Sequence, residues 1–336
     1  MKLSFSNVSI LAVSHIEAPL VLSSAQIEER FEDTYRRLGY EKGMIEKMTG
    51  IKERRYWDVN TPLSEVATEA ALKCIRDAGI ELEKIGILIN TSVCRDYLEP
   101  SVACLIHGSL KLSASCVNFD LTNACLGFID GMHVAGTMIE NGSIDYALVV
   151  NAENPILGIE STINKLAAPD CTEAYFNNNF ATLTLGCGAA AMILCRKELS
   201  PGSPVFHGGV FQSATEYNRL CVAKPEWMQT DTRELLRSGV ELGIKAAKLA
   251  GWQDEKFDVF IPHQVSASYI IKICEALNID HSKNYLSFPY YGNIGPASVP
   301  FALSKAVSEN VIKKGDLVGI LGFGSGINCG LMKIRW

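Results

Sequence analysis

Four short segments hold the side chains best suited to chemistry on an activated carbonyl. In Asp120 to Phe128 (DLTNACLGF), Cys125 stands between the strand-like VNFDL and LGFIDGMHVAGTMIENG, whose apolar residues recur at helical spacing up to an Asn-Gly stop. A cysteine at a helix start meets the positive end of the dipole and unpaired amide donors, which favour the thiolate. Thiolate is the species that attacks a thioester. Taken alone, a cysteine in apolar surroundings is more often core than catalyst. The second segment, Pro262-His263-Gln264, closes the apolar run FDVFI and sets His263 at a strand end. There it can donate to a developing enolate oxygen or move a proton, although a satisfied polar residue often occupies the same position.

The third segment, Tyr291 to Ser298 (YGNIGPAS), opens the helical stretch VPFALSKAV. The Asn293 amide is a neutral donor that can bond a thioester carbonyl without delivering a proton to quench a carbanion. As an isolated residue it reads equally well as a helix N-cap or turn asparagine. The fourth, Leu321 to Asn328 (LGFGSGIN), lacks both the Lys-Ser/Thr of a phosphate loop and a GxGxxG before a helix. It reads as a tight turn, with the Ser325 amide pairing with the Cys125 amide as an oxyanion hole.

These segments sit within a chain that repeats its own grammar. Ser64 to Ser92 gives an amphipathic helix, a charged turn and an apolar strand, and Glu234 to Ser266 gives the same order again. A second echo links NFDLTNACLGFIDGMHVAGTMIENGSIDYALVV with YLSFPYYGNIGPASVPFALSKAVSENVIKKGDLVGILG, each reading strand, polar turn, helix, turn, strand. The expectation is an α/β protein of two pseudo-repeated halves, residues 1–180 and 181–336, with the active site where strand ends meet between them. Residues 154–180, rich in Asn and Pro, read as an irregular cap or subunit contact.

With 48% hydrophobic and 20% charged residues, the 336-residue chain can bury a large core, which argues against disorder. Its net charge of −6 provides no global basic field for nucleic acid or anionic lipid. The opening MKLSFSNVSILAVSHIEAP alternates and carries His15 and Glu17, so it reads as a strand and not a signal peptide, and no apolar run reaches membrane-spanning length. A soluble cytoplasmic protein is expected. The 11 cysteines are scattered, without a CxxC pair or zinc-ligand spacing, so most read as reduced core thiols and no metal is expected.

Together, the order DxTNAC, PHQ, GNxGPAS and GFGSG resembles the ketoacyl synthase III branch of the thiolase superfamily over essentially the whole chain. The resemblance implies a five-layered αβαβα thiolase fold, a homodimer, and a Cys-His-Asn triad carried by Cys125, His263 and Asn293. Members that decarboxylate malonyl groups need no base for an α-proton, whereas nondecarboxylating members do. The stretch INTSVCRDYLEPS, with ERRYWD, IDYALVV and TLTLGCGAAAM, resembles the OleA-type head-to-head acyl-CoA condensing enzymes of long-chain olefin biosynthesis. In that group a glutamate at the position of Glu99 reaches into the partner subunit's site as the base.

The resemblance therefore implies an acyltransferase that joins two fatty acyl-CoAs through an acyl-Cys125 intermediate. The product would be a β-keto thioester or acid for downstream enzymes that process β-keto acids. Coenzyme A thioesters are substrates in this scheme, and no cofactor is implied. The rival is a malonyl-dependent, decarboxylative ketoacyl synthase III working on acyl carrier protein. A catalytically silent scaffold and a simple thioesterase are further alternatives, the intact Cys125, His263 and Asn293 arguing against the first.

Overall fold

The computed structural model describes residues 1–336. The alternating N-terminal stretch forms β1 (Val8–Glu17), and the amphipathic run after Pro62 forms α1 (Leu63–Ala78), whose Val66, Ala67, Ala70, Ala71, Cys74 and Ile75 are buried along one face. Then follow β2 (Ile85–Asn90), α2 (Val102–Leu110), β3 (Val117–Asp120), α3 (Gly127–Glu140), β4 (Tyr146–Glu153) and β5 (Gly188–Arg196). The later chain supplies β6 (Val205–Ser213), α4 (Thr232–Ala250), β7 (Val259–Pro262), α5 (Ala267–Leu277), α6 (Ser298–Ser308), β8 (Leu317–Gly324) and β9 (Asn328–Arg335).

Strand pairing repeats. In the first array the order is β3-β2-β4-β5-β1, parallel at β3/β2 and β2/β4 and antiparallel at β4/β5 and β5/β1. In the second it is β7-β8-β9-β6, parallel at β7/β8 and antiparallel at β8/β9 and β9/β6, and a parallel bridge from Phe260 to Asn284 stands where β3 stands in the first. Both echoes seen in the sequence thus fall on equivalent elements. The two arrays touch edge to edge at β1 and β6 through the pair Ser9 and Val205.

Because β5 pairs with β1 and β4, the first array runs on to Arg196, past the expected boundary at 180. The reason is geometric: β5 returns antiparallel beside β4 only after the chain has crossed the intervening helices. Residues 154–180 also differ from the irregular cap expected. They form helices Ile156–Leu166 and Glu173–Asn179, the first burying Ile156, Ile159, Ile163 and Leu166 on one face. Pro155 precedes that helix, where a proline does not break it, so the proline and asparagines mark its ends and not a loop.

Alternate residues of the strands enter different cores, as period-two side chains must when both faces are covered. Ile87 and Ile89 of β2 and Val318 and Ile320 of β8 share the central core with α3 and α6, while Leu88 faces α1 and α2 and Leu321 faces α4 and α5. The result is five layers, α1/α2, sheet, α3/α6, sheet, α4/α5, the thiolase fold. The middle helices begin at the sheet ends, which is where the candidate residues lie.

Candidate active site

Cys125 occupies an elbow between β3 and α3. Asp120, the last residue of β3, accepts from the Val102 and Ala103 amides at 3.0 and 2.8 Å and from the Asn90 side chain at 3.0 Å, which fixes where the strand stops. Ala124 then takes φ of 46°, a strained value for a residue with a Cβ, and α3 starts at Gly127. The tight turn brings the helix start against β2: a Cβ on Gly127 would lie 3.0 Å from the Thr91 carbonyl oxygen.

The elbow is pinned from two other sides. Asn123 donates to Asp130 at 2.7 Å and accepts from Asn328 at 3.0 Å, joining the first turn of α3 to the start of β9. Gly324 of the glycine turn lies so close that a Cβ there would sit 2.5 Å from the Asn123 carbonyl and 3.1 Å from Leu126 Cβ. Ser325, half-buried, follows directly. The structure therefore seats the 321–328 turn on the Cys125 elbow.

Asn293 enters from the other half. Its backbone amide donates to Thr184 at 2.8 Å and its carbonyl accepts from Gly186 at 2.9 Å, so the residue is stitched to the segment just before β5. Its Oδ1 accepts from the Gly295 amide at 3.0 Å and the Ser298 hydroxyl at 3.3 Å. With the oxygen held, the side-chain NH2 is left for Cys125, whose thiol it pulls down. Its role is thus more than a helix cap.

His263 follows β7, whose Pro262 pairs with Leu321, so it stands beside the first glycine of the turn. Gln264 holds it there, donating to the Pro262 and Tyr285 carbonyls at 2.7 and 3.2 Å and accepting from the Ser287 amide at 2.8 Å. The His263 ring is 5% exposed and its Nδ1 has no partner within the chain. Burial pulls its pKa down to about 4, so the ring is neutral and keeps one donor and one acceptor for substrate.

Cys125 differs from expectation. Burial pushes its thiol up to about 12, and the neighbouring Cys221 and Glu153 push the same way, against the opposing Cys125 amide and Asn293 side chain. The resting nucleophile is the thiol. Cys125 is half-buried, and the desolvation of the site around it still outweighs the helix terminus, because the dipole contributes at most about 1 or 2 kcal/mol whereas desolvation moves a pKa by several units.

Glu99 is not brought to Cys125 by its own chain. It sits exposed on the loop between β2 and α2, beside Tyr97 and Leu98, which are 60% and 89% exposed. Four site residues escaped the sequence reading: Glu153 at the end of β4, the elbow partners Asn123 and Asp130, and Cys221, whose thiol accepts from Thr230 at 3.4 Å. Tyr269, packed edge-on to Phe323 at 5.8 Å, adds an apolar wall near Cys125. Only Glu153 carried a signal, an acid closing a run of buried strand residues.

Residues 119–207 match the 3-oxoacyl-[acyl-carrier-protein] synthase III family, and residues 247–336 match its C-terminal domain. An acyl-CoA:acyl-CoA alkyltransferase of Xanthomonas campestris pv. campestris is 48% identical over 99% of both chains, and one of Shewanella oneidensis is 35% identical over 99% of this chain and 100% of its own. A β-ketoacyl-[acyl-carrier-protein] synthase III of Natranaerobius thermophilus is 30% identical over 98% of this chain and 100% of its own. Among solved structures, Xanthomonas campestris OleA with bound cerulenin superposes with a TM-score of 0.97 at 48% identity, covering 99% of this chain and 98% of that one. A cysteine-to-serine variant with lauric acid and lauroyl-CoA gives 0.95 at 47%, covering 99% and 100%. With two matching family models, the duplicated sheets and relatives that span its full length, the chain belongs to the thiolase superfamily, as an OleA-type condensing acyltransferase of the ketoacyl synthase III group.

Proposed function

We propose that this protein condenses two fatty acyl-CoAs head to head without decarboxylation. The observation that carries the reading is the full-length match to the Xanthomonas acyl-CoA:acyl-CoA alkyltransferase, far above that to the ketoacyl synthases. Solved variants of that relative replace a cysteine and a glutamate spaced as Cys125 and Glu99 are here.

In the first stage the Cys125 sulfur, giving up its proton, attacks the acyl-CoA carbonyl carbon. The oxyanion is held by the Cys125 and Ser325 amides, the thioester C–S bond breaks, and coenzyme A leaves as the thiol. A second acyl-CoA then places its carbonyl oxygen against His263 and Asn293, both neutral donors. Glu99 of the partner subunit takes the α-proton. The resulting carbanion attacks the acyl-Cys125 carbonyl, the C–C bond forms, the C–S bond to Cys125 breaks, and a β-keto thioester results. Its hydrolysis yields the β-keto acid.

The exposed Tyr97 and Leu98 support the dimer this requires, since a partner surface would cover them. The enzyme works without a cofactor, in the cytoplasm, and hands its product to β-keto acid-processing enzymes. No helix is long and apolar enough to cross a membrane.

The test is product analysis from one saturated acyl-CoA, with and without malonyl-CoA. A β-keto product without malonyl-CoA, lost in Glu99→Gln while Cys125 still becomes acylated, is the expected result. A strict need for malonyl-CoA, with activity surviving Glu99→Gln, would establish the decarboxylative synthase instead. Free acid without condensation would indicate a thioesterase.

A further inference from the structure

Glu153 is sealed inside the site at 4% exposure, yet neither acyl transfer nor enolate formation draws on it. Its two oxygens accept from the Val93 and Cys94 amides at 2.7 and 3.1 Å. Those residues begin the loop that carries Glu99. On its other side the carboxyl stem packs on Gly295, where φ is 55° and a Cβ would lie 3.5 Å from Glu153 Cγ. The Gly295 amide is the donor that holds Asn293 Oδ1.

One side chain therefore touches both the root of the Glu99 loop and the turn that aims the Asn293 amide. Both oxygens accept from backbone amides at the root of the Glu99 loop, so the carboxylate anchors that loop. The ionisable groups facing it are the thiols of Cys94, Cys125 and Cys187, and no cation is among them. Hydrogen bonds alone hold the charge, and burial pushes the carboxyl up to about 7.

We propose that Glu153 is a positioning residue for the condensation step, tying the Glu99 loop to the turn behind Asn293. The inference rests on the reading of Glu99 as the base for the second substrate. Acylation of Cys125 depends on the elbow and the glycine turn, which Glu153 does not hold; Glu153 reaches the thiol only through its charge, whose loss lowers the thiol's pKa and does not slow acylation, so the two half-reactions should separate.

Glu153→Gln keeps the size but leaves one oxygen to accept where two are needed, whereas Glu153→Asp keeps both acceptors on a shorter stem. Cys125 acylation is followed by intact-protein mass and condensation by product analysis, both from pH 6 to 9 with the full-length protein and a saturated acyl-CoA. Acylation should stay near wild type in Glu153→Gln while condensation falls on the order of 100-fold, the cost of displacing a reacting group by about 1 Å. Glu153→Asp should recover part of the loss. Wild-type condensation should rise as the carboxyl ionises through about 7, a limb that Glu153→Gln lacks.

Equal loss of both half-reactions in a cooperatively melting variant would make Glu153 structural and overturn the proposal, as would unchanged condensation. Loss of condensation in Glu153→Gln, retained in Glu99→Gln, would make Glu153 the base and overturn it also. If the Gln variant does not fold, the Asp variant decides by the same split. A wild-type protein that makes no product from acyl-CoA alone overturns the condensing reading itself, a result distinct from any difference between variants.

Discussion

The resting protonation state of Cys125 can be read from its alkylation by iodoacetamide. With its pKa at about 12 against an ordinary 9.0, the thiolate at pH 8 is three orders of magnitude scarcer than in an exposed cysteine. A more basic thiolate is also a better nucleophile, and a Brønsted slope of about 0.4–0.5 returns roughly a factor of 20, leaving the reaction about 40-fold slower. Steric burial lowers the rate further, but equally at every pH. The slope is therefore the diagnostic: the logarithm of the Cys125 rate should climb one unit per pH unit through pH 10 without a plateau. Intact-mass kinetics against a Cys125→Ser control isolates this thiol from the other ten. His263→Ala should leave the slope unchanged, because a neutral imidazole with its pKa near 4 forms no ion pair with the thiol. A plateau below pH 8, or one that disappears in His263→Ala, would refute the argument and restore the thiolate expected from the helix start.

Two further outcomes follow from the same geometry. Gly324→Ala should slow Cys125 acylation by roughly 100-fold or more in rapid-quench measurements, the cost of losing an oxyanion donor, because its Cβ would meet the Asn123 carbonyl at 2.5 Å and push the turn off the elbow. Glu153 should make the fold less stable at high pH: its carboxyl, raised from 4.5 to about 7, keeps a proton in the folded state where the unfolded chain has lost it. That contribution is fully present below 4.5 and is lost as pH rises through about 7, a change on the order of 3 kcal/mol. Urea melts at pH 5 and 8 should show the difference shrink in Glu153→Gln; an unchanged difference would refute the assignment.

Local pattern made much of this site legible. Period-two strands, helical stripes and glycine turns placed Cys125 at a helix start, His263 at a strand end and Asn293 before α6, and each lies there. What escaped was set by distance along the chain. The Asn123 bond to Asn328 and the hold of Glu153 on Val93 and Cys94 join segments 205 and about 60 residues apart; Glu153 at least closes an apolar strand, but nothing in its own segment names the loop it holds, and nothing near Asn123 distinguishes it from a surface polar residue. The helices of residues 154–180 were hidden because Pro155 and the asparagines mark helix ends as readily as loops.

The thiol state of Cys125 shows the deeper limit. A helix terminus is a local feature and its field is short and modest, whereas what opposes it comes from the surrounding fold: burial first, then the neighbouring Cys221 and Glu153, one from each half of the chain. Motif order therefore says which groups meet, and the layers around them decide in which charge state they meet. In this site the consequence is an uncharged resting pair, thiol and imidazole, beside a carboxyl poised near neutrality. Such a site admits an apolar acyl chain without first stripping water from an ion pair. In the proposed mechanism it delays the appearance of charge until the oxyanion and enolate donors have a substrate oxygen to hold.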